Sequence, residues 1–372
     1  MKRGMMMERV KVGIIGCGNI SSIYLKNLTQ VFKNIEVTAC ADMFVEKAKQ
    51  RAEEFGIMKA CSVEELLSDP EISIVVNLTI PSSHSEINMA SLNAGKNVYV
   101  EKTLALNREE GQKTLVLAKE KGLLVGCAPD TFLGAGLQTC RKLIDEGWIG
   151  KPTVASGVLV GGGPESWHPD PEFFYKKGAG PLFDMGPYYI TAMVALLGNV
   201  SRVTSTAKTT FSQRTITSTP KFGSKIDVEV ATNVAGILDF EAGAIGTLIT
   251  SFDTNSYLPR LEIFGTEGSM ILPDPNMFEG PVKIKRHDAT EWSVIPVTHG
   301  YSENSRGLGV SDMVQALLSG RKHRANGEMA YHVLDVICSI LDASTDAKHY
   351  NIASKCECPK ALPTGLINGI LD

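Results

Sequence analysis

The stretch VKVGIIGCGNIS, residues 10–21, decides the fold of the first part of the chain. Its apolar run ends at Gly16, which permits a tight turn, and Gly18 lets a pyrophosphate approach the backbone. Ser21 stands where the usual fingerprint has a third glycine, and its small side chain still allows a helix to pack closely on the strand. Because the free N–H groups at a helix start attract phosphate, Asn19 and Ile20 belong to the predicted dinucleotide-binding turn.

The second apolar run, residues 37–41, ends in Asp42, 21 residues after Ser21. A carboxylate at this place hydrogen-bonds the ribose hydroxyls of a dinucleotide and repels a 2′-phosphate. The next residues, Met43 and Phe44, supply no arginine that would hold such a phosphate. Asp42 is also suited to cap the helix that starts near Val45, and the two roles are compatible. The sequence therefore predicts NAD as the cofactor, with NADP less favoured.

Strand and helix patterns alternate up to Cys127, which is typical of a doubly wound parallel sheet. Thereafter strands dominate, and residues 234–240 and 245–252 indicate a hairpin. We expect an α/β protein with an NAD-binding Rossmann domain over residues 8–127. A second, α+β domain over residues 128–372 would carry a large, mostly antiparallel open sheet that binds substrate and makes oligomer contacts. The cleft between the two domains is the default active site.

Composition excludes several other classes of protein. A formal net charge of −4 over 372 residues supplies no basic surface for a nucleic acid. Apolar stretches fall short of the roughly 20 residues that span a bilayer. The eight cysteines are scattered, and Cys356-Glu357-Cys358 has no second Cys or His cluster at metal-ligand spacing. We therefore expect a cytoplasmic protein with no membrane segment and no metal site.

Further segments follow the order of the motifs in one enzyme family. They are IPSSH (residues 80–84), AGKNVYVEKTLA (94–105), GAGPLFDMGPY (178–188) and LEIFGTEGS (261–269). With the glycine turn they resemble the Gfo/Idh/MocA oxidoreductases, the family of glucose–fructose oxidoreductase and inositol dehydrogenase, from about Val10 to the C-terminus. The resemblance implies hydride transfer between a nicotinamide and an alcohol of a sugar, inositol or sugar derivative. It also implies cofactor contacts from Ile80, Pro81, His84, Glu101 and Lys102.

The resemblance implies three reacting residues, Lys102, Asp184 and Tyr188. Lys102 matches the family's catalytic lysine, Asp184 matches the aspartate of the second signature, and Tyr188 takes the histidine position of that signature. Oxidation of an alcohol removes a hydride and a proton, so a base must accept the proton. The ordinary pKa of tyrosine is about 10, and a nearby ammonium such as Lys102 would lower it. Asp184, one helical turn from Tyr188, is assigned to orienting substrate hydroxyls and Lys102.

Two departures from the family pattern carry expectations of their own. The family's Glu-Lys-Pro reads Glu101-Lys102-Thr103 here, and we expect Thr103 to loosen the backbone that positions Lys102. Tyr188 in place of histidine, as in glucose–fructose oxidoreductase, moves the predicted base away from imidazole. It therefore raises the expected pH optimum.

Residues outside the signatures supply further candidates. Trp167 and His168 offer an aromatic face and a hydrogen-bonding partner of the kind that binds sugars. His168 either contacts substrate, replaces the missing histidine or caps a loop, and the sequence favours none of these roles. Asp130 is the third predicted substrate contact. His84 is as well suited to cap a helix start as to contact the cofactor.

The other histidines are expected to be structural. His332 lies on an apolar helix and is predicted to be a satisfied core residue. His287, His299 and His323 are predicted to lie at the surface.

Two other functions stay open at this point. An NAD-dependent glycoside-cleaving enzyme of the same superfamily would oxidise its substrate transiently and yield no net NADH. A non-catalytic sensor that binds NAD would not need Lys102, Asp184 and Tyr188 together. A homodimer or homotetramer is expected through an open sheet face, unless helices of the same chain cover that face. The apolar residues assigned to it are Ile237, Phe240, Ile245 and Leu248.

Overall fold

The computed structural model describes residues 9–372, so residue 8, where the predicted Rossmann domain begins, lies outside the described part. Residue contacts divide the chain into two compact units. The first unit runs to Gly134 and also contains Thr298–Tyr331 and Pro359–Asp372. The second unit consists of Ala135–Val297 and His332–Cys358. This division differs from two contiguous domains, because the chain returns twice to its first unit.

The first unit is built on a parallel sheet of six strands within the described residues. The strands are β1 (Val10–Ile15), β2 (Ile35–Ala41), β3 (Lys59–Cys61), β4 (Ile74–Asn77), β5 (Asn97–Val100) and β6 (Val125–Cys127). Their order is β3-β2-β1-β4-β5-β6, and every neighbouring pair is parallel. The order reverses between β1 and β4, which is where a doubly wound sheet binds its ligand.

Helices connect these strands, and local sequence signals mark several helix ends. They are α1 (Ser21–Gln30), α2 (Val45–Phe55), α3 (Val63–Ser68), α4 (His84–Asn93) and α5 (Arg108–Lys121). The capping box that Ser62 and Glu65 predict at the start of α3 is present. Gly122 ends α5 in the left-handed conformation, as expected of a C-terminal glycine.

The second unit contains a mixed sheet of nine strands and a separate two-stranded ribbon in the described residues. The strands are β7 (Pro152–Val160), β8 (Val200–Lys208), β9 (Gln213–Thr215), β10 (Lys225–Asp227), β11 (Asn233–Phe240), β12 (Ile245–Ser251), β13 (Leu258–Gly265), β14 (Gly268–Leu272), β15 (Val282–Arg286), β16 (Ser293–Ile295) and β17 (Tyr350–Asn351). The remaining helices of the chain are α6 (Ala135–Asp145), α7 (Gly180–Leu197), α8 (Leu308–Ser319) and α9 (Gly327–Asp346). In the order β16-β15-β14-β13-β7-β12-β11-β8-β17, only β7 and β12 pair in parallel.

One face of the nine-stranded sheet is covered by helices of the same unit. A Cβ at Gly157 on β7 would meet Met193 of α7 at 2.7 Å, and a Cβ at Gly236 on β11 would meet Ile340 of α9 at 3.6 Å. Val234 and Leu238 point to this covered side and are buried. The helices therefore account for one face of the sheet.

The opposite face of that sheet is exposed, and two of the four apolar residues that the sequence assigned to an open face lie on it. Ile237 and Ile245 are 45% and 50% exposed, as expected, but Phe240 and Leu248 are 4% and 1% exposed and belong to the covered face. Side chains of a strand alternate between faces with a period of two, so residues three apart cannot share one. The exposed apolar residues of this face include Val154, Ile237, Ile245 and Ile249.

A buried ion-pair network joins the two C-terminal segments of the first unit to each other. The carboxylate of Asp312, on α8, accepts hydrogen bonds from the guanidinium groups of Arg321 (2.7 Å) and Arg324 (2.5 Å). Arg324 also reaches the side chain of Asp372 at 2.8 Å. Asp312 is fully buried, so each of these partners offsets the cost of burying its charge. Such long-range pairs leave no local sequence signal.

Candidate active site

The predicted cofactor-binding residues follow the ends of parallel strands in the first unit. Gly16 and Gly18 follow β1, Asp42 follows β2, and Glu101 and Lys102 follow β5. Because parallel strands end at the same edge, these residues are brought to one edge of the sheet, on either side of the β1–β4 reversal.

The glycine turn has the geometry that a phosphate cradle requires. Gly16 has φ of +100°, and a Cβ there would lie 2.6 Å from the backbone carbon and oxygen of Leu78. A Cβ at Gly18 would meet nothing within 4 Å, so that glycine borders open space. Asn19 and Ile20 are exposed before α1, whose first turn has no side-chain cap within the described residues. The N–H groups of Ser21 and Ser22 make only long bonds, of 3.3 Å to the carbonyl oxygen of Gly18 and 3.4 Å to that of Asn19, so an anion can compete for them.

Asp42 is held against the glycine turn. Its Oδ2 accepts the N–H of Cys17 at 2.8 Å, and its Oδ1 accepts the N–H of Phe44 at 2.9 Å. A carboxylate has about four acceptor positions, so both oxygens can still accept ribose hydroxyls. The bond to Phe44 lies just before α2 begins at Val45, so Asp42 orders the approach to that helix rather than capping its first turn.

Arg51 is a residue at the glycine turn that the sequence analysis missed. Its Nε donates to Ser21 Oγ at 3.2 Å, and its Nη2 lies 3.3 Å from the carbonyl oxygen of Gly18. Ser21 Oγ donates to the same carbonyl at 2.6 Å. The residues directly after Asp42 include no arginine, whereas Arg51 reaches back to the turn from the second turn of α2. Its positive charge lies beside the predicted pyrophosphate position.

His84 connects two loops of the first unit. Ile80 is exposed and Pro81 is half-buried, but the His84 ring is only 1% exposed. Its Nδ1 lies 2.6 Å from the carbonyl oxygen of Thr103 and its Nε2 lies 3.0 Å from that of Thr79. Burial lowers the pKa of His84. Both ring nitrogens face protein carbonyl groups, so the ring does not cap the helix start. The cofactor contact of His84 stays a prediction.

The segment around Lys102 is held on both sides. Glu101 is buried, and its carboxylate accepts the Tyr24 hydroxyl at 2.7 Å and the N–H of Lys102 at 2.9 Å. Thr103 is also buried, and its hydroxyl donates to the carbonyl oxygen of Ala105 at 2.8 Å. The peptide between Lys102 and Thr103 is cis. The expectation that Thr103 loosens this backbone is wrong, because its hydroxyl and its carbonyl group are both bound.

Asp130 has a structural position in the first unit instead of the expected substrate contact. Its Oδ2 accepts the N–H groups of Gly307 and Gly309, each at 2.9 Å, at the start of α8. Burial raises the pKa of Asp130 to about 6, against the opposing effect of these donors. The side chain is 1% exposed, so the carboxylate holds a helix N-terminus and offers no open surface to a substrate.

In the second unit, α7 carries the other two predicted reacting residues. Asp184 is half-buried and Tyr188 is buried, one turn apart on the same helix face. Gly180 begins the helix with φ of +86° and Pro181 follows it in the first turn, the position that proline favours. The helix expected at this signature is therefore present.

Tyr257 and Asp274 lie near Asp184 and were not found from the sequence. Desolvation, a hydrogen bond to Asp274 and the negative charges of Asp274 and Asp184 raise the pKa of Tyr257. Tyr257 is nevertheless largely exposed at its ring. These side chains add hydroxyl and carboxylate groups to the neighbourhood of Asp184, within the second unit.

Trp167 and His168 form part of an aromatic group in the second unit. Trp167 is exposed, and its ring packs edge-on against His168 at 5.4 Å between centroids. His168 also lies edge-on to Phe173 and Phe174. Its Nδ1 accepts the N–H of Asp170 at 3.0 Å, which is the loop-capping role that the sequence left open. Trp167 is 67% exposed, so much of an aromatic ring of the type that sugars bind is open to solvent.

A buried ion-pair cluster fixes the segment beneath Trp167. Arg214 donates to Glu165 at 2.7 Å and to Asp253 at 2.5 Å, and the hydroxyl of Tyr175 also donates to Glu165. All three charged side chains are at most 11% exposed. The members are separated by tens of residues in sequence, so no local pattern predicts them.

Three other histidines are buried and face hydrogen-bonding partners. His332 is a satisfied core residue as predicted: its Nε2 accepts the N–H of Val200 at 3.1 Å. His299 and His323 are buried rather than exposed, with their Nε2 atoms 3.0 Å from the carbonyl oxygens of Leu362 and Val125.

Residues 9–372 show neither a metal-binding cluster nor a membrane-spanning helix. No cluster of three or more His, Cys, Asp or Glu side chains suited to a metal ion occurs among them. None of their helices is long and apolar enough to cross a bilayer. All eight cysteines are in the free thiol form.

Two family models match the chain in the order of its domains. Residues 10–128 match the model described as the oxidoreductase family with an NAD-binding Rossmann fold. Residues 137–271 match the GFO/IDH/MocA C-terminal domain. The chain belongs to the Gfo/Idh/MocA oxidoreductases.

Individual relatives agree with this assignment. A scyllo-inositol 2-dehydrogenase (NAD(+)) from Bacillus subtilis (strain 168) is 27% identical over 270 residues, 72% of this chain and 75% of the relative. A myo-inositol 2-dehydrogenase from Thermotoga maritima is 24% identical over 261 residues, 70% of this chain and 74% of the relative. The structure of levoglucosan dehydrogenase in complex with NADH and L-sorbose superposes with a TM-score of 0.81 at 22% identity, covering 94% of this chain and 100% of that chain.

These comparisons confirm several of the predictions made from the sequence. The family, the Rossmann sheet followed by a large mostly antiparallel sheet, and the class of NAD(P)-dependent oxidoreductases are confirmed. NAD as the cofactor type is confirmed at the level of the family. The roles of individual site residues stay predictions.

Proposed function

We propose that this oxidoreductase uses NAD⁺ to oxidise a secondary alcohol of an inositol, a sugar or a sugar derivative. The observation that carries the proposal is the pairing of a glycine turn open to a phosphate with a tightly held Lys102 at the same edge of one parallel sheet. The relatives named as inositol dehydrogenases support the substrate class.

The residues at the glycine turn fit NAD. Gly18 leaves room for a pyrophosphate, the start of α1 supplies N–H groups, and Arg51 places a positive charge beside them. Asp42 stands ready to accept ribose hydroxyls, and its charge would repel the 2′-phosphate of NADP. We therefore infer NAD as the preferred dinucleotide.

The proposed reaction assigns distinct tasks to four side chains. A bound nicotinamide would supply the hydride acceptor for the alcohol carbon. Lys102 holds the substrate oxygen by donating to it. Tyr188 accepts the hydroxyl proton, and Asp184 orients the substrate hydroxyls as a hydrogen-bond acceptor. Trp167 supplies an apolar face for the sugar ring.

The direct test is incubation of the purified protein with NAD⁺ and a panel of inositols, pyranoses and anhydrosugars, followed by the absorbance of NADH. We expect net NADH with at least one polyol and loss of it in Lys102→Met, which keeps the length of the side chain but not its charge. Cleavage of a glycoside without net NADH would indicate the glycoside-cleaving alternative. Cofactor binding without turnover of any member would indicate a sensor.

We also infer that the protein forms a homodimer or homotetramer through the exposed face of its large sheet. Val154, Ile237, Ile245 and Ile249 form an apolar set there, which a second copy would remove from water. Sedimentation of Ile237→Lys/Ile245→Lys should give a smaller species than the unsubstituted protein. Met58→Lys, which changes an even more exposed apolar residue of the first unit, should leave the assembly unchanged. The eight free cysteines support the cytoplasm as its compartment.

A further inference from the structure

A short chain of hydrogen bonds leads from the cofactor-binding helix to Lys102. Tyr24 lies one turn into α1, the helix that starts at the glycine turn. Its hydroxyl donates to Oε1 of Glu101 at 2.7 Å, and Oε2 of the same carboxylate accepts the N–H of Lys102 at 2.9 Å. The carboxylate of Glu101 therefore bridges α1 and the backbone of the predicted catalytic lysine.

The hydrogen bond between Tyr24 and Glu101 is buried. Tyr24 is fully buried and Glu101 is 8% exposed, so water cannot readily replace either partner. Burial and the charge of Glu101 raise the pKa of Tyr24 well above its ordinary range, so the phenol remains a donor over the working pH range. A donor to a buried carboxylate is among the stronger neutral-to-charged hydrogen bonds in proteins.

The other side of Lys102 is fixed independently of Tyr24. The carbonyl oxygen of Thr103 lies 2.6 Å from His84 Nδ1, and the hydroxyl of Thr103 is bound to Ala105. With this side fixed, the bridge through Glu101 determines the direction in which the Lys102 side chain leaves the backbone. Loss of the bridge releases one of the two restraints and leaves the other in place.

We propose that Tyr24 is a positioning residue that acts through Glu101 to set the orientation of Lys102 and to link it to the helix that binds the dinucleotide. The kinetic consequence of this inference rests on the proposed function. The two hydrogen bonds join the Tyr24 hydroxyl, the Glu101 carboxylate and the backbone N–H of Lys102, none of which is a predicted reacting group. Tyr24 touches neither substrate nor cofactor in this account. Its removal should lower kcat and leave cofactor affinity almost unchanged.

The chain offers a matched control for removal of the Tyr24 hydroxyl. Tyr99, on β5 of the same unit, is also fully buried, and its hydroxyl has no hydrogen-bond partner among residues 9–372. Tyr24→Phe and Tyr99→Phe therefore each delete one buried hydroxyl from one buried ring. Only the first deletion removes a donor to Glu101.

The kinetic test compares these two variants. We expect Tyr24→Phe to lower kcat about tenfold, because a small misplacement of a catalytic group is costly, while the Kd for NAD⁺ changes less than about twofold. Tyr99→Phe should keep both values and a thermal midpoint close to that of the unsubstituted protein. Equal kcat values in the two variants, whether unchanged or lowered to the same extent, would overturn the proposal.

A double-mutant cycle tests whether Tyr24 acts through Glu101. Glu101→Met keeps a side chain of similar length but removes both acceptor oxygens, so neither bond of Glu101 can form. In that background the Tyr24 hydroxyl has no carboxylate to donate to. We therefore expect Tyr24→Phe/Glu101→Met to be no slower than Glu101→Met alone. Losses that multiply would show that Tyr24 and Glu101 act separately and would contradict the proposal.

Hydrogen exchange supplies a readout that does not need turnover. In Tyr24→Phe the amide of Lys102 should exchange about tenfold faster than in the unsubstituted protein, and in Tyr99→Phe it should not change. If the protein produces no NADH but this difference is found, the proposed function fails and the positioning role stands. If NADH is produced and the amide exchanges equally in all three proteins, the positioning role fails alone.

Discussion

The glycine turn after β1 and the Lys102 segment after β5 lie at the same edge of one sheet but are built in opposite ways. The turn is made of backbone: Gly16 excludes any side chain, and Gly18 borders open space. The Lys102 segment is fixed by side chains, with Glu101 on one side and His84 on the other. A ligand can thus approach the first loop closely, whereas the second presents one side chain in a fixed direction.

This difference predicts that substitutions at the two loops separate binding from turnover. The largest effect is expected for Lys102→Met, with a fall in kcat of about 10³-fold, since a positioned acid–base group contributes about 10²–10⁴. The Kd for NAD⁺, measured by fluorescence titration, should change little. An unchanged kcat would remove Lys102 from the reaction and break the comparison.

The glycine turn should respond in binding and stability. Gly16→Ala forces alanine into φ near +100° and places its Cβ 2.6 Å from the backbone of Leu78. We expect a loss of about 3 kcal/mol or more in the free energy of unfolding, measured in urea. Gly18→Ala is the matched control, since its Cβ meets nothing within 4 Å. It should fold normally and weaken NAD⁺ binding, and normal binding would refute the phosphate position.

Asp42 should set the choice between the two dinucleotides. In Asp42→Asn the amide oxygen can still accept one of the N–H groups of Cys17 and Phe44, but the charge that repels a 2′-phosphate is gone. We expect the ratio of kcat/KM for NADP⁺ to that for NAD⁺ to rise about tenfold or more, because one charge contact is removed. A ratio that does not move would show that other residues, such as Arg51, govern the choice.

The smallest effect concerns pH. Burial lowers the pKa of His84, so the unfolded chain takes up the proton more readily than the folded one. Its contribution to stability is present above about pH 6.5, the ordinary pKa of histidine, and is lost as the pH falls through the lower folded value. In His84→Gln the thermal midpoint should fall less between pH 7 and pH 5, by about a degree or two.

Both proteins in that comparison share three other buried titratable groups. Burial also lowers the pKa values of His323 and His332, and it raises the pKa of Asp130, which acts in the opposite sense below about pH 6. Their contributions cancel. A pH dependence that is identical with and without His84 would contradict its place as a buried restraint on Thr103 whose pKa is lowered by burial.

The first unit was far more predictable than the second. Gly16, Asp42 and the Ser62–Glu65 capping box act over a few residues, so their local patterns predicted the turns and helix ends that the structure contains. The parallel sheet itself, although not its strand order, followed from the alternation of helices and strands. Asp130 illustrates what was missed, because its bonds to Gly307 and Gly309 tie a C-terminal segment to the first part of the chain and depend on the folded chain.

The second unit shows the same limit at its site. The signature around Asp184 and Tyr188 predicted helix α7, but Tyr257 and Asp274 come from distant strands and loops. Arg51 was missed in the first unit for a simpler reason, since only the residues next to Asp42 were considered. The faces of β11 and β12 were misassigned where residues three apart were placed together, which the two-residue period of a strand excludes.

The transfer of a labelled hydrogen tests the central claim most directly. The best polyol of the panel, deuterated at the carbon that bears the reacting hydroxyl, is incubated with NAD⁺ and the purified protein, and the reduced cofactor is analysed by mass spectrometry. The account predicts that the reduced cofactor carries the deuterium and that Lys102→Met forms it about 10³-fold more slowly. Reduced cofactor without the label, or no reduced cofactor with any polyol, would contradict the account.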